Sequence, residues 1–211
     1  MKTGKPNYIS LSKKSFNKQA EIYDSTYYGS YARGAYEYLL NKMNELNFNN
    51  ILDVGCGTGK MLSRIIQIKG DKINVYGLDI SEEMLKKADS RLGKKVTLIH
   101  GNSDNIPLDS DLFNIVICNY SFHHYPDPEK VIDEMRRVLK KEGKLLICDR
   151  FYYGPIRSIV NFAILFAKSG DVKMYSKKEM TKLLNKFHFK NVTWEKINKK
   201  SYLISGTNSS K

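Results

Sequence analysis

The chain has 211 residues, 41% hydrophobic and 27% charged, with a formal net charge of +13. That length carries one well-buried α/β core and is short for two, and the composition is that of an ordinary globular protein and implies no disorder. The basic excess would suit nucleic acid or anionic lipid, but its lysines are dispersed and not interleaved with aromatics, so a solvated surface is expected and nucleic-acid binding is not.

Residues 1–15 lack the apolar segment of a signal peptide, and a cytoplasmic location is expected. Phe16, Ala20 and Tyr23 follow helical spacing from Ser12 to Asp24, behind a Ser12 or Ser15 cap. A second helix is expected from Tyr31 to Leu46, in a region crowded by Tyr27, Tyr28, Tyr31, Tyr36 and Tyr38. These tyrosines suit either packing of the helices on a sheet or an aromatic lid over a ligand. The apolar run at Ile51 then meets Asp53 and three glycines at alternate positions, Gly55, Gly57 and Gly59, before a helix resumes at Met61. A buried strand, a glycine loop and a helix N-terminus form the front half of a nucleotide-binding βαβ unit.

Ile73 to Leu78 forms the second strand and ends in Asp79, twenty positions beyond Gly59. A carboxylate at that place can accept both hydroxyls of a ribose. Ser81 caps the next helix, Val96 to His100 is the third strand, and Gly101 to Leu108 is a polar tip followed by a proline turn. The fourth strand, Phe113 to Cys118, is apolar throughout, as a strand covered on both faces must be. Helix Glu129 to Lys140 and strand Lys144 to Cys148, ending at Asp149, complete a parallel, doubly wound alternation. Arg150 to Lys173 interrupts that rhythm with the apolar stretch Ile159 to Ala167, too short to span a membrane. Ser176 and Glu179 read as a capping box for a helix to Phe187. Asn191 to Ile197 and Tyr202 to Ser205 read as an antiparallel pair, with a loose tail from Gly206. Cys56, Cys118 and Cys148 form no C-x-x-C pair, so neither a disulfide framework nor a metal site is expected.

In this order the motifs resemble the class I S-adenosylmethionine-dependent methyltransferases, and among them the small ubiquinone and menaquinone biosynthesis C-methyltransferases. Leu52 to Gly59, Gly77 to Ser81, Gly101 to Leu108, and His123 to Asp127 followed by Glu134 to Lys144 carry the likeness, and Phe16 to Asp24 resembles the N-terminal lid helix. The resemblance implies a seven-stranded, mostly parallel Rossmann-like α/β sheet with an antiparallel C-terminal strand. It divides the single domain into lid helices (1–48), a cofactor core (49–149), a substrate-side insertion (150–173) and a C-terminal helix and hairpin (174–211).

It also implies S-adenosyl-L-methionine as cofactor and S-adenosyl-L-homocysteine as product. Gly55, Cys56, Gly57 and Gly59 would line the methionine and ribose, Asp53 would hold the ammonium, and Asp79 the ribose. Ile80 and Met84 would flank the adenine, with Asn102 and Ser103 at its edge. Asn119 and Tyr120 would lie under the sulfonium, with Tyr23 and His124 completing the site. Asn102 stands where the family usually has Asp, and an amide oxygen still accepts from the adenine amino group.

Asp53 agrees with this on chemistry, because a carboxylate suits an ammonium better than a pyrophosphate, and the third glycine of a dinucleotide loop is lacking, with Met61 and Leu62 near the expected spacing. Methyl transfer gains most from positioning and desolvation. Should the acceptor need to lose a proton, His123 or His124 at the pocket mouth is the expected base, His123 foremost, with Asp149 orienting the imidazole. The aromatic lid and the segment Tyr152 to Ala167 are expected to select a small, largely hydrophobic acceptor with one polar handle, in a monomer or homodimer. An RNA or protein methyltransferase and an NAD-dependent oxidoreductase are the alternatives.

Overall fold

The structure is a computed structural model that describes residues 7–26, 29–30, 33–167 and 169–209. Tyr27, Tyr28 and Tyr31 of the expected aromatic lid, and the ends of both termini, lie outside the described residues.

Helices α1 (Tyr8–Gln19) and α2 (Tyr36–Asn44) precede strand β1 (Asn50–Val54). There follow α3 (Lys60–Lys69), β2 (Asn74–Asp79), α4 (Glu82–Leu92), β3 (Thr97–His100), β4 (Phe113–Asn119), α5 (Pro128–Val138) and β5 (Leu139–Arg150). Helices α6 (Gly154–Ile164) and α7 (Lys177–Lys186) and strands β6 (Phe189–Lys196) and β7 (Ser201–Asn208) complete the described elements. The seven strands lie in the order β3-β2-β1-β4-β5-β7-β6, with β7 antiparallel to both its neighbours. The expected fold class therefore holds.

Strand periodicity sends alternate side chains to opposite faces, and both faces are covered. Leu52, Val116, Cys118, Leu145 and Ile147 pack with Val131, Met135 and Val138 of α5 and with Met180 and Leu184 of α7. Ile51, Ile115, Ile117, Leu146 and Cys148 pack with α2 and α3 through Leu39, Met43, Met61, Leu62 and Ile65. A helix on either side leaves only the strand ends open, and the carboxyl ends of β1, β2, β4 and β5 carry Asp53, Asp79, Asn119 and Asp149.

Several boundaries differ from the sequence reading. Helix α1 begins earlier, because Asn7 rather than Ser12 or Ser15 caps it by accepting from the Ser10 N–H at 3.0 Å. Helix α5 stops at Val138, because Leu139 pairs with Phe113 and opens β5; the register then slips before Ile115 meets Lys144. The capping box of Ser176 and Glu179 is formed as expected. The tail from Gly206 is not loose: Gly206 and Thr207 pair with Leu145 and Lys144, and Asn208 is 1% exposed. The Asn208 Nδ2 donates to the carbonyls of Arg136, Leu139 and Lys140, where the helix hands over to β5. Asn208→Ala would leave buried carbonyls without a donor, and we expect a loss of about 1–3 kcal/mol in urea unfolding. A change below about 0.5 kcal/mol would show that water replaces the amide there.

Candidate functional site

Above the carboxyl ends of β1, β2 and β4 lies a cleft of about 920 Å³, continuous with solvent. At Gly55 the backbone φ is +80°, and a Cβ there would lie 2.6 Å from the Ser121 Cβ, so only glycine fits. At Gly57, φ is +53° and a Cβ would meet nothing within 4 Å, which leaves room for a ligand against the backbone. Cys56, Thr58, Ile80, Met84, Asn102, Ser103, Asn119, Tyr120, Ser121, His124 and Tyr125 continue the lining. Tyr23, Phe16, Ser12 and Ile9 of the N-terminal segment close it from the other side, with Tyr36 from α2.

The carboxylates of the wall are satisfied differently. Asp79 accepts from the Gly57 N–H at 2.7 Å and the Ser81 N–H at 2.8 Å. Burial raises its pKa, and these N–H groups pull it back. Asp53 is 2% exposed and its Oδ1 has no hydrogen-bond partner. Burial, reinforced by the charge of Asp79, pushes its pKa up to about 8. On the adjoining strand β4 the Asn119 Oδ1 is likewise buried without a partner. Two orphan acceptors in one cleft wall call for a ligand that brings donors, and a cation suits Asp53 best. Tyr120 beside them holds φ of +55°, a strained conformation for a bulky residue, fixed by its N–H to the Cys148 carbonyl at 2.8 Å and its hydroxyl on Ser201.

The N-terminal segment is fastened to this wall by Asp24. Its Oδ1 accepts from the Thr58 hydroxyl at 2.9 Å, and its Oδ2 from Arg91 at 2.5 Å. Arg91 also donates to the Thr58 carbonyl. Asn17 and Ser81 add a bond of 2.6 Å, and the Ser12 hydroxyl donates to the Gly170 carbonyl at 3.1 Å.

A second chamber of about 590 Å³ shares Phe16, Tyr23, Tyr120 and His124 with the first and is otherwise lined by Ser15, Gln19, Arg150, Ser169 and Asp171.

The family profile for the methyltransferase domain matches residues 52–147, the strand-and-loop framework that builds the first cleft. Over those residues the chain is similar to a methyltransferase domain. An uncharacterized methyltransferase of Geobacillus sp. strain WCH70 is 33% identical over 137 residues, covering 64% of this chain and 62% of the relative. A demethylmenaquinone methyltransferase of the same organism is 33% identical over 145 residues, covering 62% of each chain. The match thus spans less than two thirds of these relatives' length. Among solved structures, a Haloferax volcanii putative methyltransferase, solved with the Trm112 activator, superposes with a TM-score of 0.80 at 19% identity over 95% of this chain and 98% of that one. A possible histamine N-methyltransferase from Thermotoga maritima gives 0.70 at 21% over 92% and 99%. At such identities the structures share the fold.

Against the methyltransferase domain, the expected site residues divide. Tyr23, Asp53, Gly55, Cys56, Gly57, Asp79, Ile80, Met84, Asn102, Ser103, Asn119, Tyr120 and His124 line the first cleft. Gly59 does not: it caps α3 in the left-handed conformation, and a Cβ there would sit 2.6 Å from Leu92 Cδ1. Nor is His123 at the pocket mouth. It is 1% exposed and lines neither chamber, because its Nδ1 is drawn inward to the Asp149 Oδ1 at 2.7 Å and its N–H to the Oδ2 at 2.9 Å. Burial is the largest single influence and lowers the His123 pKa, but the charge and hydrogen bond of Asp149 together with Asp171 outweigh it, and the result is a raised value. His124 lines both chambers, and burial together with the charge of His123 brings its pKa down to about 3. Among the described residues, none of Tyr152 to Ala167 lines either chamber. Helix α6 instead leaves Ile156, Ile159 and Phe162 more than half exposed. Sequence reasoning gave no role to Asp24, Thr58, Arg150 or Asp171: Asp24 and Thr58 lie within recognised motifs, but the partners of Asp24 are 34 and 67 residues away in sequence.

Because the folded Asp53 carboxyl binds its proton up to about pH 8, the folded chain holds more protons than the unfolded one above the ordinary carboxyl pKa. Stability of the ligand-free protein therefore falls as pH rises through that window, by at most about 1.4 kcal/mol per unit. Asp53→Asn removes this slope, so the variant should gain on the wild type between pH 5 and pH 8 in denaturant unfolding. A constant difference between the two proteins would refute the assignment.

Proposed function

We propose that the chain is an S-adenosylmethionine-dependent methyltransferase that methylates an oxygen, nitrogen or carbon of a small acceptor. The observation that carries this reading is the pair of unpartnered buried acceptors, Asp53 Oδ1 and Asn119 Oδ1, beside the glycine loop and Asp79. When bound, the cofactor supplies a methyl group on a sulfonium that needs no further activation to leave. Asp53 receives the ammonium, which favours the ionised carboxylate and so releases the proton it holds at neutral pH. Asp79, fixed by its backbone donors, keeps lone pairs for the ribose hydroxyls. Ile80 and Met84 form the apolar walls for the adenine, and Asn102 and Ser103 its polar edge. Phe16 and Tyr23 cover the cleft and exclude water from it, leaving Asn119 and Tyr120 at the sulfonium end.

The second chamber takes the acceptor. Its walls of Ser15, Gln19, Arg150, Ser169 and Asp171 favour a polar acceptor over the largely hydrophobic one expected from sequence. Enclosed as it is, His123 acts with Asp149 as a positioning residue for the loop. His124, with a pKa near 3, is a poor proton acceptor, so the site favours acceptors that need no strong base.

Thermal shift discriminates the cofactors. S-adenosylhomocysteine at a hundred times its dissociation constant should add about 2.7 kcal/mol of stability and NAD none. Equal stabilisation by NAD, or none by S-adenosylhomocysteine at millimolar concentration, would remove the reading. A panel of small polar acceptors, read by a mass gain of one methyl, then finds the substrate.

A further inference from the structure

Beside the second chamber, and reaching its wall through His124 and Asp171, lies a cluster that methyl transfer does not require. Among the described residues, His123, His124 and Asp171 each offer a ligand atom, and the three atoms lie within 4.8 Å of one another. The His123 Nε2 is 3.3 Å from the Asp171 Oδ1, and the His124 Nε2 is 3.8 Å from it.

The outer hydrogen bonds fix what these atoms are. The Nδ1 of His123 faces the Asp149 carboxylate at 2.7 Å, and that of His124 faces the Gly170 carbonyl at 3.1 Å. Both partners only accept, so both Nδ1 atoms carry a proton, and in the neutral form of each ring the lone pair stands at Nε2. In that form two lone pairs and a carboxylate oxygen converge, and a cation can take the place of the Nε2 protons. The His123 Nε2 and the Asp171 Oδ1 are buried and have no hydrogen-bond partner, since their 3.3 Å approach lacks hydrogen-bond alignment. A proton shared between them would need that alignment and would leave the His124 Nε2 uncompensated. A metal ion needs only that the lone pairs meet at a common point.

We propose that His123, His124 and Asp171 bind a divalent transition-metal cation, a class of which zinc, cobalt and manganese are representative. Ligand atoms about 2.0–2.2 Å from a tetrahedral ion stand about 3.3 Å apart, close to the two distances the cluster already shows. Two imidazoles and one carboxylate leave coordination positions for water or substrate. The carboxylate behind His123 and the carbonyl behind His124 are the outer partners that orient metal-bound histidines. The fold holds the third ligand in place as well, because the Val172 N–H and Lys173 N–H donate to the His123 carbonyl at 2.8 and 3.2 Å. Arg150, whose Nη1 lies 3.6 Å from Asp171, shares that carboxylate's charge and weakens the site without closing it. Since His124 and Asp171 line the second chamber, the ion selects an acceptor with a metal-binding oxygen, such as a phenol or enol. This last clause rests on the methyltransferase reading; the site itself does not.

Chelator-stripped full-length protein should bind one cobalt(II) ion per chain, seen as a visible d–d absorption band that zinc bleaches by competition. Native mass spectrometry of the zinc-loaded wild type should give the same stoichiometry. Asp171→Asn should weaken the affinity at least tenfold, with far-UV circular dichroism unchanged, whereas His100→Gln, outside the cluster, should not. Binding as tight in Asp171→Asn as in the wild type, or no stoichiometric binding at tens of micromolar metal, would overturn the proposal. S-adenosylhomocysteine stabilisation is read separately without metal, so loss of either result leaves the other standing.

Discussion

Three aspartates stand at the carboxyl ends of buried strands, and a carboxylate there must be compensated by something other than bulk water. Asp79 finds backbone N–H groups from the glycine loop and from the start of α4. Asp149 finds the ring and the N–H of His123, and the charge of that imidazole helps to hold its pKa below the ordinary value against burial. Asp53 has an oxygen without a partner. The loop conformations follow from these needs: the glycine loop curls so that the Gly57 N–H reaches Asp79, and the turn Phe122–His124 tucks one histidine inward to reach Asp149. Of the three only Asp53 keeps a buried oxygen without any partner, and on the proposed reading its positive partner is the cofactor's ammonium.

The core of this arrangement was legible because it rests on short-range signals. Apolar runs ending in Asp53 and Asp79, a glycine at each alternate position and the capping box at Ser176 are visible within a few residues of sequence. What depended on long-range pairing was not. That His123 faces inward and His124 the cleft follows from a tight helical turn, in which adjacent side chains point about a third of a turn apart. The sequence shows two adjacent histidines but not which way the turn enters. Asp171 lies 46 residues beyond Tyr125 in an irregular segment, and it reaches the histidines only because the backbone after it is pinned to His123. Asn208 looked like tail because its role is to serve carbonyls at the α5–β5 junction, far away in sequence. Gly59 carried the family pattern, yet its φ and its neighbours serve the packing of α3 on α4.

The two chambers divide the chemistry by composition. The first mixes glycine backbone, apolar side chains and acceptors, a combination suited to a nucleoside with an amino acid attached. The second is polar and basic through Arg150, with His124 and Asp171 on its wall. Phe16, Tyr23, Tyr120 and His124 belong to both, so the partition between the two chambers is made of rings.

Asp24 gives the N-terminal segment a further property. By gripping Thr58 and Arg91 together, it makes the cover over the cleft and the loop beneath it parts of one hydrogen-bonded assembly. Their motions are then coupled: a ligand that stiffens the glycine loop also holds the cover down, and the cover cannot lift without releasing the loop. The ligand and its lid thus share a single free-energy balance, in which the opening that admits the ligand is opposed most strongly once the ligand is in place.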